Sequence, residues 1–130
     1  MKNEKIKKKH KIRKHLIIAW LMCVVILAVD MLTTIKGIKL GAEETNIIPA
    51  FFFSFGNIGY LYAFVFEIIV IFIFLVVIVK FCSWLYQKLR KKEMKNNFKI
   101  FLYYFMAVIF VLLELLVIQH NIKVIAGLGG

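Results

Sequence analysis

Apolar residues occur along this chain in three long runs that polar and basic segments separate. The runs cover about residues 15–38, 58–80 and 99–120. Each holds the ~20 residues that an α-helix needs to cross the bilayer core at a rise of 1.5 Å per residue. Each is also apolar on nearly every face, and a soluble domain of 130 residues could not bury three such helices. The pattern predicts an all-α integral membrane protein, a three-helix bundle with one transmembrane domain over residues 15–130.

Basic residues are distributed unevenly among the segments outside these runs. Residues 1–14 carry eight Lys or Arg and residues 80–99 carry seven, whereas the first loop has two Lys and the tail has one. Because loops rich in Lys and Arg stay in the cytoplasm, we expect the N-terminus and second loop inside and the first loop and C-terminus outside. The usage of Ile, Lys, Phe and Asn is typical of an AT-rich prokaryotic genome. The predicted location is therefore the plasma membrane, with several passes.

Residues 1–14 form a basic segment ahead of the first run. We predict a solvated cytoplasmic arm that is disordered until it meets the membrane, where anionic lipid head groups would be its partners. The arm lacks interleaved aromatic residues and any nucleic-acid-binding motif, so no nucleic-acid partner is expected. The apolar run that follows is too long for a cleaved signal peptide and favours an uncleaved anchor.

The chain between the first two runs predicts a turn followed by a short helix. Gly41 and Ala42 are typical of a helix end. Residues 47–56 include an aromatic stretch that is too short to span the bilayer, which favours a short interfacial or re-entrant helix. Gly56 predicts a break, and Asn57 is a candidate cap for the second span.

Each span carries one acidic residue in otherwise apolar sequence, namely Asp30, Glu67 and Glu114. Counted from the outer end of each span at 1.5 Å per residue, they lie ~9, ~12 and ~9 Å deep. The alternating topology therefore brings the three acids to a similar depth, although their positions along the spans differ. No Lys or Arg lies at that depth to pair with them.

Polar and small residues recur at helical spacing around these acids. In the first span, Asp30, Thr33, Thr34, Gly37 and Gly41 lie at i, i+3, i+4, i+7 and i+11, on one face that we expect to meet protein and not lipid. The corresponding stripes of the second and third spans are Tyr60, Ala63, Glu67 and Val70, and Tyr103, Ala107, Phe110, Glu114, Val117 and Asn121.

Together these residues predict a polar cluster in the outer half of the membrane. Its candidate members are Asp30, Thr33, Thr34, Glu43, Glu44, Asn46, Glu67, Glu114, His120 and Asn121. A carboxylate is costly in hydrocarbon, so we expect a protonated carboxyl, a bound cation or an oligomeric partner. The alternative is that carboxyl–hydroxyl hydrogen bonds only hold the helices together. The residues identify no catalytic group, and the one cofactor that they suggest is a divalent cation.

The residues around Asp30 resemble a family of small prokaryotic membrane proteins of unknown function with three or four helices. The family carries Asp-x-x-Thr-Thr in its first helix and Glu-x-Asn-Pro after the following turn. The matches are Asp30, Thr33, Thr34, Gly41, Glu44 and Asn46, with a weaker match at His120 and Asn121. The chain departs from the family at Ile47, where Pro is expected, and Pro49 follows later. The resemblance implies that the polar cluster is a shared site and implies no activity.

Three functions fit this pattern. The first is an accessory protein or complex subunit whose acidic cluster binds a cation, a proton or a basic group of a partner. The second is a channel or transporter subunit, which requires an oligomer because three helices are too few to enclose a pathway. The third is an intramembrane metal-dependent hydrolase. The chain has no His-Glu-x-x-His and no Gly-x-Ser-x-Gly motif, which counts against the enzyme.

Overall fold

The protein is described here by a computed structural model that covers residues 1–42 and 47–129. These residues form four α-helices, which are α1 (Lys2–Lys39), α2 (Ile47–Phe53), α3 (Asn57–Arg90) and α4 (Asn96–Gly129). Helices α1, α3 and α4 are each long and apolar enough to cross a membrane. The described ranges contain no β-strand. The structure confirms the predicted all-α bundle of three long helices.

Helix α1 begins at Lys2, so the arm that we predicted to be disordered is helical. The sequence explains this difference, because residues 2–36 contain neither Gly nor Pro and Lys is a good helix former. The arm is also continuous with the first span, and adding residues to an existing helix avoids the cost of nucleation. Of the arm, Ile12 packs against the hydrophobic core.

The end of α1 confirms the predicted helix stop. Gly41 has a φ of +105°, which glycine adopts without the penalty that a side chain would bring. The Gly41 N–H donates to the Ile38 carbonyl at 2.9 Å, and the Ala42 N–H donates to the Gly37 carbonyl at 3.0 Å. This pair of bonds is a Schellman motif, which satisfies carbonyls at the helix end. Gly41 therefore ends α1 and does not continue its polar face.

A short helix and a tight turn connect the first two long helices. The predicted short helix is present as α2. Helix α3 follows after Gly56, which occupies the N-cap position with a φ of 81° and provides no side-chain cap. Asn57 is the first residue of α3, so its predicted capping role is wrong. The turn needs a positive φ, which Gly56 supplies at low cost.

Helices α1 and α4 run parallel and in register over most of their length. His15 contacts Tyr104, 89 residues later, and Asp30 contacts Asn121, 91 residues later. The nearly constant separation means that both helices rise together. Small residues at the seam, namely Ala19, Cys23 and Ala107, allow the backbones to approach closely, as is usual between membrane helices.

Helix α3 packs antiparallel against this pair. Its residues Leu75 and Val79 lie in one buried cluster with Leu16 and Cys23 of α1 and with Tyr103 of α4. Trp20 of α1 also donates its indole N–H to the Ile68 carbonyl at 3.1 Å and packs edge-on against Phe72. We call the end of the bundle with the start of α1, the end of α3 and the start of α4 the basic end. The buried cluster lies in the half of the bundle nearest to it.

Two of the predicted stripes shift by one position. Val70 of α3 and Val117 of α4 are exposed, at 44% and 43% of their surface, whereas Ile118 is buried. On α4 the buried and half-buried positions near the polar cluster are therefore Glu114, Ile118 and Asn121. A helix repeats every 3.6 residues, so three-residue and four-residue steps must alternate, and packing against α1 decides which one is used.

Candidate functional site

Asn121 of α4 is the centre of a polar cluster at the half of the bundle away from the basic end. Its Nδ2 donates to Asp30 Oδ1 at 3.0 Å, to Thr33 Oγ1 at 3.0 Å and to Thr34 Oγ1 at 3.1 Å. One amide nitrogen has two hydrogens, so these three acceptors share them. The predicted Asp30–Thr33–Thr34 face of α1 therefore meets protein, and Asn121 is the side chain that it meets.

The two threonines also bind their own helix. Thr33 Oγ1 donates to the Asp30 carbonyl at 2.8 Å, and Thr34 Oγ1 reaches Asp30 Oδ1 at 3.4 Å. Each hydroxyl thus donates within α1 and accepts from Asn121 on α4. Spacings of three and four residues place these groups on one face of the helix. Asp30 Oδ1 receives a bond from each helix, so it acts as the acceptor that ties α1 to α4.

Glu114 adds a second carboxyl group to this cluster. It lies on α4 two turns before Asn121, and its carboxyl group is close enough to that of Asp30 for a hydrogen bond between them. The Oε2 atom of Glu114 is buried and makes no hydrogen bond within the described residues. Two carboxyl groups in contact can share a hydrogen bond only if one of them carries a proton.

Glu67 supplies the third acid from α3. It is half-buried, and it lies close enough to Glu114 to interact with it electrostatically. Glu114 therefore lies near both of the other acids, whereas their common depth in the membrane stays a prediction. In the described residues no polar or charged side chain is fully buried, and the members of the cluster are half-exposed at the surface of the bundle.

Of the remaining predicted members, the structure describes only His120. His120 is exposed, although it neighbours Asn121 in the sequence. Consecutive residues on a helix point about 100° apart, so only one of the two can face α1. Glu43, Glu44 and Asn46 lie outside the described residues. The residues that the structure brings together are therefore Asp30, Thr33, Thr34, Glu67, Glu114 and Asn121.

The structure also bears on the metal-dependent alternatives. Within residues 1–42 and 47–129, no group of three or more His, Cys, Asp or Glu side chains has an arrangement that could hold a metal ion. Cys23 is buried and Cys82 is half-buried, and both are free thiols. The described part of the cluster offers Asp30, bonded to hydroxyl and amide groups, and Glu114 beside it, a set suited to hydrogen bonding or proton sharing.

Sequence reasoning missed one polar pair. His15 Nδ1 and the Tyr104 hydroxyl form a hydrogen bond of 2.7 Å, with their rings packed edge to face at 5.6 Å. Both residues lie near the starts of the first and third apolar runs, which begin on the same side of the membrane in the predicted topology. That shared level could have predicted the pair from the sequence. This pair connects α1 and α4 near the basic end, as Asn121 and Asp30 connect them at the other half.

Comparison with known proteins identifies no relative of this chain. It matches no protein-family model, no curated protein sequence and no solved structure. The family resemblance around Asp30 therefore stays a prediction.

Proposed function

We propose that the chain is a small accessory protein or complex subunit of the membrane whose polar cluster binds a proton or a small cation. The contact between the Asp30 and Glu114 carboxyl groups carries this proposal. Two negative charges in hydrocarbon would repel each other and would each lose their hydration, so one proton or one cation is needed to compensate them. The sequence places no Lys or Arg at this depth to do so.

The hydrogen bonds of Asn121 support a binding role over a role in packing alone. Asp30 Oδ1 already accepts from Asn121 and Thr34. Glu114 Oε2, by contrast, is buried without a hydrogen bond in the described residues. A pair that served only to hold helices together would place this oxygen against a donor, because an unsatisfied buried acceptor costs about 1–3 kcal/mol. We propose that Glu114 is the group that takes up the proton or cation.

We propose that the three long helices cross the lipid bilayer and that the basic end of the bundle faces the cytoplasm. The number of Lys and Arg residues at the two ends supports this orientation. The polar cluster would then lie in the outer half of the plasma membrane, while the basic end would contact anionic lipid head groups. A homo-oligomer or a partner protein would cover the cluster from the side. The oligomeric channel or transporter subunit stays the alternative prediction.

The test is a measurement of ligand-dependent stability on the purified protein in detergent. A ligand that binds only the folded state raises its melting temperature with concentration. We expect the melting temperature of the wild type to change with pH or with Na⁺, and both Asp30→Asn and Glu114→Gln to abolish this dependence. Native mass spectrometry with and without a divalent metal tests the divalent cation directly. A wild type that responds to neither pH nor any cation would contradict the proposal.

A further inference from the structure

We propose that the basic end of the bundle contains a site between α1 and α4 for an anionic phospholipid with two phosphates in its head group, bound by Lys8, Lys11 and Lys99. This inference rests on the proposed cytoplasmic placement of that end and on its contact with anionic lipids. The basic end would then bind one class of lipid at one place, in addition to attracting anionic lipids in general.

The hydrogen bond between His15 and Tyr104 indicates which face of α1 is turned towards α4. The two groups are 2.7 Å apart, so the side of α1 that carries His15 lies against α4. Lys11 and Lys8 precede His15 by four and seven residues, which places all three on one face of the helix. Both lysines therefore lie on the α4 side of α1, before the contact between His15 and Tyr104.

The register of the two helices places Lys99 at the same level. His15 and Tyr104 are 89 residues apart. The same separation puts Lys8 and Lys11 level with residues 97 and 100 of α4, and Lys99 lies between these positions. Lys99 is half-buried, one turn before Tyr103, which is only 6% exposed in the core. Three lysines from two helices thus gather within about one helical turn of height.

These lysines lack enough acidic residues nearby to balance them. Residues 1–14 contain eight Lys or Arg and one acid, Glu4, and residues 80–99 contain seven and one acid, Glu93. Both acids are exposed. The like charges of these lysines repel each other at the basic end of the α1–α4 interface. An anion placed between them offsets that repulsion. The seam therefore favours an anionic ligand over an empty state.

The depth of the three lysines favours a lipid as the source of that anion. Lys99 directly precedes Ile100, and Lys11 and Lys8 lie about one and two helical turns before Leu16, towards the level where phospholipid phosphates are found. Phe101 and Phe105, both exposed and stacked at 5.8 Å, follow on α4 and offer an apolar surface for acyl chains. Basic pockets between membrane helices on the cytoplasmic side are suited to head groups with several phosphates. A head group with two phosphates could contact lysines of α1 and α4 at the same time. A head group with a single phosphate would neutralise fewer of the three lysines.

The experiment compares lipid binding in nanodiscs of zwitterionic lipid by native mass spectrometry. One set contains about 10 mol% cardiolipin and the other about 20 mol% phosphatidylglycerol, so that the anionic charge is equal. We expect one cardiolipin to stay bound to the wild-type protein and phosphatidylglycerol to dissociate. Lys8→Ala, Lys11→Ala and Lys99→Ala together should weaken cardiolipin binding at least about tenfold, since each lysine near the surface contributes to lipid attraction. Lys8→Ala alone should show a smaller loss in the same direction.

The matched control removes three exposed lysines at the same end, Lys2, Lys91 and Lys92, and should leave cardiolipin binding within about twofold. An equal loss in the control and the site variant would overturn the site and leave diffuse attraction. Equal retention of cardiolipin and phosphatidylglycerol by the wild type would also overturn the specific site. Binding of neither lipid would reject the proposed contact with anionic lipids as well. None of these outcomes supports or contradicts the proposal that the polar cluster binds a proton or cation, which the melting experiment tests separately.

Discussion

Asn121 of α4 donates a hydrogen bond of 3.0 Å to the carboxyl oxygen of Asp30 on α1, across 91 residues of sequence. This bond fixes the rotation of both helices at the polar half of the bundle, because the same amide reaches Thr33 and Thr34. The two helices have few other polar groups at that depth. Substitutions at this bond and in the packing around it therefore separate a binding role of the cluster from a purely structural one.

Substitution of Asp30 separates a binding role from a packing role. Asp30→Asn keeps an oxygen that Asn121 can bind, so we expect normal folding and membrane insertion but loss of the pH or cation dependence. Asp30→Leu leaves the Asn121 amide without one acceptor and should lower the free energy of unfolding by about 1 kcal/mol. The measurement is thermal unfolding in detergent at several pH values. Normal stability of Asp30→Leu would reject a packing role, and an unchanged pH dependence in Asp30→Asn would reject the binding role.

Asn121 and His120 form a natural pair of test and control. Asn121→Ala removes the donor shared by Asp30, Thr33 and Thr34, and we expect a destabilisation of about 1–2 kcal/mol. His120→Ala changes an exposed side chain next to it and should stay within about 0.5 kcal/mol of the wild type. Equilibrium unfolding of both variants in the same detergent checks the difference. If His120→Ala changed the cation dependence of the stability more than Asn121→Ala did, His120 would belong to the binding site.

Gly59 marks the close contact between α2 and α3. A Cβ atom at this position would overlap the carbonyl group of Phe52 and would approach Phe55 at 3.3 Å. Gly59→Ala should therefore displace α2 and destabilise the protein by more than about 2 kcal/mol. The control is Gly127→Ala in α4, where a Cβ would meet no atom within 4 Å. Thermal unfolding of the two variants should differ clearly, and equal stability would mean that α2 does not pack on α3 as described.

The proposed orientation can be measured with cysteine labelling. In a background with Cys23→Ala and Cys82→Ser, a cysteine introduced at Lys5 should react with a membrane-impermeant thiol reagent only after the cells are opened. A cysteine introduced at Lys39, which is exposed at the other end of α1, should react in intact cells. The physical reason is that the membrane retains strongly basic loops in the cytoplasm. The reverse labelling pattern would place the polar cluster in the inner half of the bilayer.

A tyrosine substitution tests the second link between α1 and α4. Tyr104→Phe removes the hydroxyl that binds His15 at 2.7 Å and keeps the ring that packs against it. We expect a loss of about 0.5–1.5 kcal/mol in the free energy of unfolding. Tyr62→Phe, an exposed tyrosine on α3, is the matched control and should be silent. Similar unfolding of both variants would show that the His15 bond contributes nothing to the helix pair.

The sequence alone determined the three long helices, because a run of about 20 apolar residues is a local property. It also predicted that Asp30, Thr33 and Thr34 share a face and that Asp30, Glu67 and Glu114 lie at one depth, since both follow from counting residues along helices. The Schellman end at Gly41 was likewise readable, because only glycine adopts its φ of +105° without strain.

Only the tertiary structure decided which helices pair and which side chains meet. Hydropathy does not distinguish a residue that faces lipid from one that faces another helix, so the burial of Leu75 in the uniformly apolar half of α3 had no signal. The parallel pairing of α1 with α4 selected Asn121 over His120 and Ile118 over Val117, because helix rotation depends on contacts between segments far apart in sequence. That rotation is the physical reason why the acids and the amide of this protein form one cluster.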